Sequence, residues 1–219
     1  ELEGLKLLLY RQSLYEVGGL AHLANIQDGL HGLSIENLRQ EKNAFHWRKI
    51  LLELLYTKNQ AGRPWSPEYG SAYEPYYNHG QYITGWSYDG VGLGNPFIST
   101  GEFLRPELPI HPEDFFVNNR VIVFHLGGTG SVKDIDFTFK ASISQNFGTY
   151  HTTDEEQSTG IEDPGSYGIF GKKDQFSAYL DLNKVVNNNI GIGLTGAVDM
   201  GELYNNSAGL FIRFSYSFR

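Results

Sequence analysis

The sequence predicts an all-β fold, and the last twelve residues give the clearest reason. From Ala208 to Arg219 the even positions are mostly apolar, whereas the odd positions are mostly small or polar. Side chains alternate between the two faces of a strand, so this segment would have one continuously apolar face. A soluble β-sandwich also shows such alternation. Because a strand of about 9–11 residues with this pattern can cross a bilayer in a closed barrel, we expect an antiparallel transmembrane β-barrel.

Composition excludes several classes of function. The 219 residues carry a net charge of −8, and only 19% of them are charged, so there is no electrostatic reason to bind nucleic acid. The absence of cysteine excludes disulfides and thiolate metal sites. No apolar run is long enough for a transmembrane helix. The chain begins Glu-Leu-Glu, without Met or a signal peptide, and we expect a processed product or a fragment.

The first 59 residues allow more than one interpretation. Gly4–Tyr10 is compatible with a strand, whereas the leucine spacing after Ser13 favours a short helix with Ser13 as its N-cap. Residues 43–57 fit a strand face and a helical stripe equally well. Residues 58–116 show no regular element and are rich in Gly, Pro and aromatic residues. Because connections this long are uncommon and often functional, we interpret 58–116 as a long loop or plug.

The second half shows regular alternation from residue 121 onward. The pattern predicts strands at 121–128, 135–147, 175–182 and 190–200 before the closing strand. They are joined by short turns at 129–134 and 184–189 and by longer loops at 148–174 and 201–207. This alternation is typical of outer-membrane barrels, which have tight periplasmic turns and longer extracellular loops. It would place 58–116 outside the cell or in the barrel lumen.

Strand parity also predicts a set of charged side chains that face the lumen. They would form a polar conduit or pair with residues of the plug, and we favour pairing because both signs of charge are present. The set consists of Lys49, Glu53, Asp136, Lys140, Asp181, Asp199 and Arg213.

An aromatic-rich stretch within 58–116 is the main candidate binding site. Sugar rings stack on aromatic rings, while Tyr, Asn and His side chains supply hydrogen bonds, so this mixture suits a saccharide. The alternative is that these rings pack the plug or form an interfacial girdle. The candidate carbohydrate-binding residues are Trp65, Tyr69, Tyr73, Tyr76, Tyr77, His79, Tyr82, Trp86 and Tyr88.

No catalytic residue, cofactor or metal site is predicted. His111, Glu113 and Asp114 form the tightest local group of titratable residues, and His125 lies within a predicted strand. Neither Gly-x-Ser-x-Gly nor His-Glu-x-x-His occurs. An acidic loop lacks the regular spacing of a calcium-binding loop, so we favour a solvated loop there. Its acidic residues are Asp154, Glu155, Glu156, Glu162 and Asp163.

Several short motifs resemble those of a known family. They are Asp28–Leu33, Leu54–Gln60, Tyr76–Tyr82, Gly85–Tyr88 and Leu93–Ile98, and together they are similar to Wzi-type outer-membrane capsule-assembly proteins of the Bacteroidota branch. The resemblance implies a roughly eighteen-stranded barrel, plugged by its own loops, that holds capsular polysaccharide as a lectin-like protein. It also implies strands near 3–11, 30–38 and 44–57, which gives about eight strands in this chain. Residues 1–219 would then be the C-terminal part of one barrel domain.

We therefore expect a non-catalytic protein of the bacterial outer membrane that binds or anchors capsular polysaccharide. The alternative is a porin-like channel or the barrel component of a larger transport or secretion assembly. The expected partners are capsular polysaccharide and outer-membrane lipid. Strands in lipid cannot leave backbone groups unpaired, so an open sheet would also need the N-terminal remainder of the barrel or another envelope protein chain at its edges.

Overall fold

The computed structural model describes residues 4–16, 18–39, 44–62, 74–153, 166–187 and 189–217. Its main feature is an antiparallel sheet of eight long strands. In sheet order these are β1 (Leu5–Gln12), β2 (Gly29–Asn37), β3 (Phe45–Tyr56), β8 (Val121–Val132), β9 (Ile135–Asn146), β10 (Lys173–Val185), β11 (Ile190–Gly201) and β12 (Ser207–Tyr216). Among the described residues the sheet is open, because there β1 pairs only with β2 and β12 only with β11.

The remaining elements are short and lie in the connections. In the described part of the connection between β3 and β8 lie the strands β4 (Ser87–Tyr88), β5 (Val91–Gly92), β6 (Ser99–Thr100) and β7 (Phe116–Asn118). There are 3₁₀ turns at Gly19–His22, Gly101–Phe103 and Tyr150–Thr152. Among the described residues, no helix has the length and apolar character that would let it span a membrane.

The ambiguous first half contains strands, as the family resemblance implied, but the predicted helix is placed differently. Residues 45–56 form the strand β3, which pairs with β2 on one side and with β8 on the other. Periodicity alone allowed either a strand or a helix here. Ser13 is not an N-cap, because the 3₁₀ turn between β1 and β2 begins at Gly19 with Gly18 before it. The reason is tertiary: the buried Glu74 carboxylate accepts hydrogen bonds from the backbone N–H groups of residues 16, 18 and 19 and fixes the turn there.

The turn predicted at 129–134 is also shorter in the structure. Strand β8 continues through Val132, and Lys133 adopts a positive φ of 55° at the turn to β9. Gly130 led to the wrong boundary, since a glycine normally indicates a turn. In β8 it makes room instead, because a Cβ on Gly130 would lie 2.6 Å from the Phe137 ring. The aromatic ring covers the backbone of the neighbouring strand.

Successive connections alternate between the two ends of the sheet. The connections β1–β2, β3–β8, β9–β10 and β11–β12 lie at one end, which we call the loop end. The connections β2–β3, β8–β9 and β10–β11 lie at the other, which we call the turn end. The loop end carries the three longest connections, as the spacing of the strands predicted.

One face of the sheet, which we call the outer face, is almost entirely apolar. The strand registers align one row across all eight strands: Leu9, Leu33, Leu52, Leu126, Ala141, Ala178, Val198 and Ala208. Many side chains of this face are open to their surroundings, including Leu180, which is 45% exposed, and Phe214, which is 78% exposed. No second sheet packs on this face within the described residues.

The opposite face, which we call the inner face, carries the polar side chains that parity predicted. One row across the sheet consists of Tyr10, Gly32, Glu53, His125, Ser142, Ser177, Asp199 and Ser207. Several of the charged groups form ion pairs within the sheet, whereas we expected partners in the plug. Arg213 Nη2 donates to Asp181 Oδ1 at 2.8 Å, and Lys49 Nζ donates to Glu36 Oε1 at 3.3 Å.

Residues 74–118, which we call the cover segment, pack against the inner face at the loop end. Its buried apolar side chains form two clusters, around Tyr76, Ile98 and Phe116 and around Leu104, Leu108 and Val117. The second cluster includes Phe170 from the β9–β10 connection and Leu203 from the β11–β12 connection. The hydrophobic core therefore joins the loops to one end of the sheet.

Asp28 is the polar anchor of the cover segment. Its buried carboxylate accepts hydrogen bonds from Asn59 N at 3.0 Å, from Gln60 N at 2.6 Å and from the Tyr76 hydroxyl at 2.6 Å. Burial raises the pKa of Asp28 above its usual range despite these bonds. Burial and the neighbouring Asp28 carboxylate raise the pKa of Tyr76, so that hydroxyl stays a donor.

Glu16 and Glu74 place a second pair of carboxyl groups close together at the loop end. Glu74 is fully buried, and Oε2 of Glu16 is buried without a hydrogen-bond partner. Burial and the nearby Glu74 charge raise the pKa of Glu16 to about 7. The folded protein therefore favours the protonated form of Glu16 more than the unfolded chain does.

Candidate functional site

A cavity of about 820 Å³ lies between the inner face of the sheet and the cover segment. Strands β3, β8, β9, β10 and β11 supply one wall, and the first half of the cover segment supplies the other. The strand side chains reach the cavity because they occupy inward positions of the β-alternation. The cavity is large enough for a ligand of several sugar rings, since small-molecule pockets are about 300–1,000 Å³.

Five aromatic side chains line this cavity. Tyr77, Trp86 and Phe97 come from the cover segment, Tyr179 from β10 and Tyr204 from the β11–β12 connection. Trp86 is 65% exposed, so much of its ring surface is open to a ligand. The rings come from three elements that are distant in sequence.

Hydrogen bonds hold two of these rings in place. The Tyr77 hydroxyl donates to the Leu93 carbonyl at 2.8 Å, and the Tyr204 hydroxyl lies 2.5 Å from Ser99 Oγ. Burial raises the pKa of both tyrosines. Because neither phenol ionises near neutral pH, both rings remain uncharged stacking surfaces.

The sheet wall of the cavity supplies hydrogen-bonding and charged groups of both signs. Glu53 and Asp199 contribute carboxylates, and Lys140 contributes an ammonium group. His125 Nδ1 lies 2.7 Å from Ser142 Oγ, and the Ser177 hydroxyl donates to Asp199. The site therefore combines apolar rings on one side with a polar floor on the other.

The nine predicted carbohydrate-binding residues divide into groups. Tyr77 and Trp86 line the cavity. Tyr76 is only 3% exposed and its hydroxyl is held by Asp28, so its side chain packs the core of the cover segment. His79, Tyr82 and Tyr88 are exposed outside the cavity, and the His79 and Tyr82 rings lie 4.9 Å apart. Three candidates lie outside the described residues: Trp65, Tyr69 and Tyr73.

Sequence reasoning missed three of the five cavity aromatics. Tyr179 was recognisable, because it shares its face of β10 with Ser177 and Asp181. Phe97 and Tyr204 gave no periodic signal, since they lie in irregular connections. Only the packing of the cover segment on the sheet brings them to the cavity.

A separate cluster of potential metal ligands lies where the cover segment meets the β9–β10 connection. His111, Asp114 and His151 each offer one ligand atom, and these atoms lie within 4.8 Å of one another. The sequence showed His111 and Asp114 as neighbours but gave no sign that His151 joins them. Burial alone would lower the pKa of His151, but Asp114 raises it above the usual value. The predicted acidic residues 154–163 lie outside the described part of the chain.

No protein-family model, curated protein or solved structure matches this chain. The fold and site therefore define the class of protein by themselves. It is an all-β protein whose single large antiparallel sheet has an apolar outer face and a polar inner face. Loops cover the inner face at one end and enclose a cavity lined by aromatic and polar side chains.

Proposed function

We propose that this chain is part of an outer-membrane β-barrel that binds or anchors capsular polysaccharide and catalyses no reaction. The observation that carries the proposal is the aromatic-lined cavity beneath the cover segment. It faces the polar side of a sheet whose other side is apolar and open. The cover segment and the loop end would hold the sugar, and the sheet would hold the loops in the membrane.

The exposed outer face supports the membrane part of the proposal. Soluble monomers rarely expose a contiguous apolar patch larger than a few hundred Å². Here the apolar rows continue from strand to strand across the whole sheet, and Leu9 on β1 is 82% exposed. Contact with lipid hydrocarbon would remove the cost of this exposure, whereas water would not.

The cavity supports the saccharide part. Trp86 and Tyr77 offer apolar ring surface for the C–H faces of sugars, and Ser142, Ser177 and Lys140 lie on the opposite wall. Carboxylates and an ammonium group in the same wall are able to bind hydroxyl groups as well as charged substituents. Such contacts with successive sugar units of a polysaccharide would together hold the polymer, and no bond would need to be formed or broken.

The open edges of the sheet lead to a proposal about partners. Strands β1 and β12 are the two edge strands of the sheet within the described residues. In lipid each unpaired group costs several kcal/mol, so closure is needed. The pairing partner would be further strands of the same protein or another envelope chain.

Binding of purified capsular polysaccharide to the full chain in detergent tests this function. We expect Trp86→Ala and Tyr77→Ala each to weaken binding by about tenfold, because one stacking ring is worth roughly 1–1.5 kcal/mol. Tyr15→Ala is the matched control, since Tyr15 is 63% exposed at the loop end but does not line the cavity. Unchanged binding in both cavity variants would reject the saccharide site.

Conductance in planar bilayers separates this function from a porin-like channel. The cover segment packs over the inner face, so we expect no steady open-pore current from the wild-type protein. A large, steady current that persists without polysaccharide binding would favour transport. The two assays together therefore distinguish a sugar anchor from a pore.

A further inference from the structure

The cluster of His111, Asp114 and His151 lies apart from the cavity and has no part in the proposed function. His111 and Asp114 lie in one tight turn, closed by a 3.1 Å hydrogen bond from Asp114 N to the His111 carbonyl. His151 comes from the 3₁₀ turn Tyr150–Thr152 in the β9–β10 connection. Two stretches of chain that are distant in sequence therefore converge on this point.

The geometry of the cluster suits a small cation. His151 Nδ1 lies 3.0 and 3.1 Å from the two carboxylate oxygens of Asp114. The His111 and His151 rings lie 4.3 Å apart and are tilted by 31°. Ligands at about 2.0–2.2 Å from one ion are separated from each other by roughly 3–4 Å. The ligand atoms of the three residues lie within 4.8 Å of one another, so small side-chain adjustments would bring them around one ion.

Neighbouring groups fix the orientation of the ligands. The Thr149 hydroxyl donates to Asp114 Oδ2 at 2.6 Å, and the edge of the Tyr167 ring meets His111 at 4.6 Å between centroids. His111 and Asp114 are each less than a tenth exposed. Metal sites characteristically hold their ligands through such outer contacts.

A small cavity of about 290 Å³ gives a cation access to the cluster. Asp114 lies in its wall together with Glu102 and Glu113. Three carboxyl groups around one opening attract cations, and the chain as a whole carries a net charge of −8. The opening therefore connects solvent to one of the ligands.

We propose that His111, Asp114 and His151 bind one divalent transition-metal ion of the Zn²⁺ type. Two imidazoles and one carboxylate match the ligand preference of Zn²⁺ and leave a further position for water. The ion would tie the turn at residues 111–114 to the 3₁₀ turn at residues 150–152. It would thereby fasten the cover segment to the β9–β10 connection at the loop end.

Calorimetric titration of the tag-free full chain in detergent with ZnCl₂ at pH 8 tests the site. We expect one saturable Zn²⁺ per chain, and at least tenfold weaker binding in Asp114→Asn and His151→Gln. His22→Gln is the matched control and should bind like the wild type, because it removes only an exposed imidazole. CaCl₂ should give no saturable binding, since imidazole ligands disfavour Ca²⁺.

Co²⁺ titration of the wild type supplies a readout that needs no variant. Coordination by two imidazoles and a carboxylate should give a visible absorption band that excess Zn²⁺ abolishes. This measurement decides the matter if the ligand variants fail to fold. Absence of the band, or Zn²⁺ affinity equal in wild type and both variants, would mean that the cluster is only an internal ion pair and would overturn the proposal.

Discussion

A charged residue in the middle of the outer face would test most directly whether this face contacts lipid. Leu180 is suitable because it is 45% exposed on β10, near the middle of the strand. Its neighbours in register are Phe139 on β9 and Gly196 on β11. Replacing it with Arg therefore removes one side-chain contact and places a charge in the apolar row.

The position of Leu180 determines the expected cost. It lies about 17 Å along the strand from Val185 at the turn end, which is about 12 Å of depth for a strand tilted by roughly 45°. The hydrocarbon half-thickness is about 15 Å, so Leu180 would lie close to the bilayer centre. An Arg at that depth costs about 2–4 kcal/mol, whereas in water a surface change costs about 0.5 kcal/mol or less.

Reversible urea unfolding in lipid vesicles, followed by tryptophan fluorescence, would measure this difference. We expect Leu180→Arg to lower the free energy of unfolding by about 2–4 kcal/mol. Ile190→Arg is the matched control, because Ile190 begins β11 at the turn end, where the cost should be about 0–1 kcal/mol. A cost below about 0.5 kcal/mol at Leu180 would refute the membrane assignment.

Three further changes test packing and electrostatics in the same unfolding assay. Gly128→Ala should cost about 1–3 kcal/mol, because its Cβ would lie 2.3 Å from the Phe139 ring. Gly209→Ala should be nearly neutral, because a Cβ there would meet nothing within 4 Å. Equal costs for the two variants would contradict the argument from close packing. Tyr76→Phe should cost about 1–3 kcal/mol because it removes a donor to the buried Asp28 carboxylate, and wild-type stability would show that this bond is unimportant. The raised pKa of Glu16 means that its stabilising contribution is present below pH 4.5 and lost as the pH rises through about 7. The free energy of unfolding of Glu16→Gln should therefore match that of the wild type at pH 4.5 and exceed it by about 1 kcal/mol at pH 8, allowing for solvent screening. If both proteins lose stability equally as the pH rises, Glu16 is not the cause.

The sheet was largely predictable from the sequence because strand alternation is a local signal. Residues such as Phe139 and Leu180 reveal their face by their neighbours two positions away. A second local signal, glycine, misled at the β8–β9 turn, where Gly130 makes room for the Phe137 ring of the neighbouring strand. A glycine that permits a close approach looks the same in the sequence as one that makes a turn.

The site was only partly predictable because it depends on how irregular segments pack. Composition led to Tyr77 and Trp86, which line the cavity, but also to Tyr76, whose ring is buried. Two long-range hydrogen bonds hold the buried Tyr76 hydroxyl, which donates to Asp28, 48 residues away in the chain, and accepts from Asn25, 51 residues away. His151 joins Asp114 in the same way, across 37 residues. Such long-range contacts depend on the fold and produce no periodic pattern in the sequence.

The last strand joins the fold argument to the proposed function. Every residue of β12 from Ser207 to Tyr216 is exposed, including Leu210 at 72% and Phe214 at 78%. An exposed, long, apolar edge strand in water is a site of aggregation, and soluble proteins normally shorten or charge such edges. Here Arg213 is the only charged residue from 207 to 216, and it turns inward to Asp181. In the proposed barrel, further polypeptide would pair with this edge and lipid would cover its apolar face.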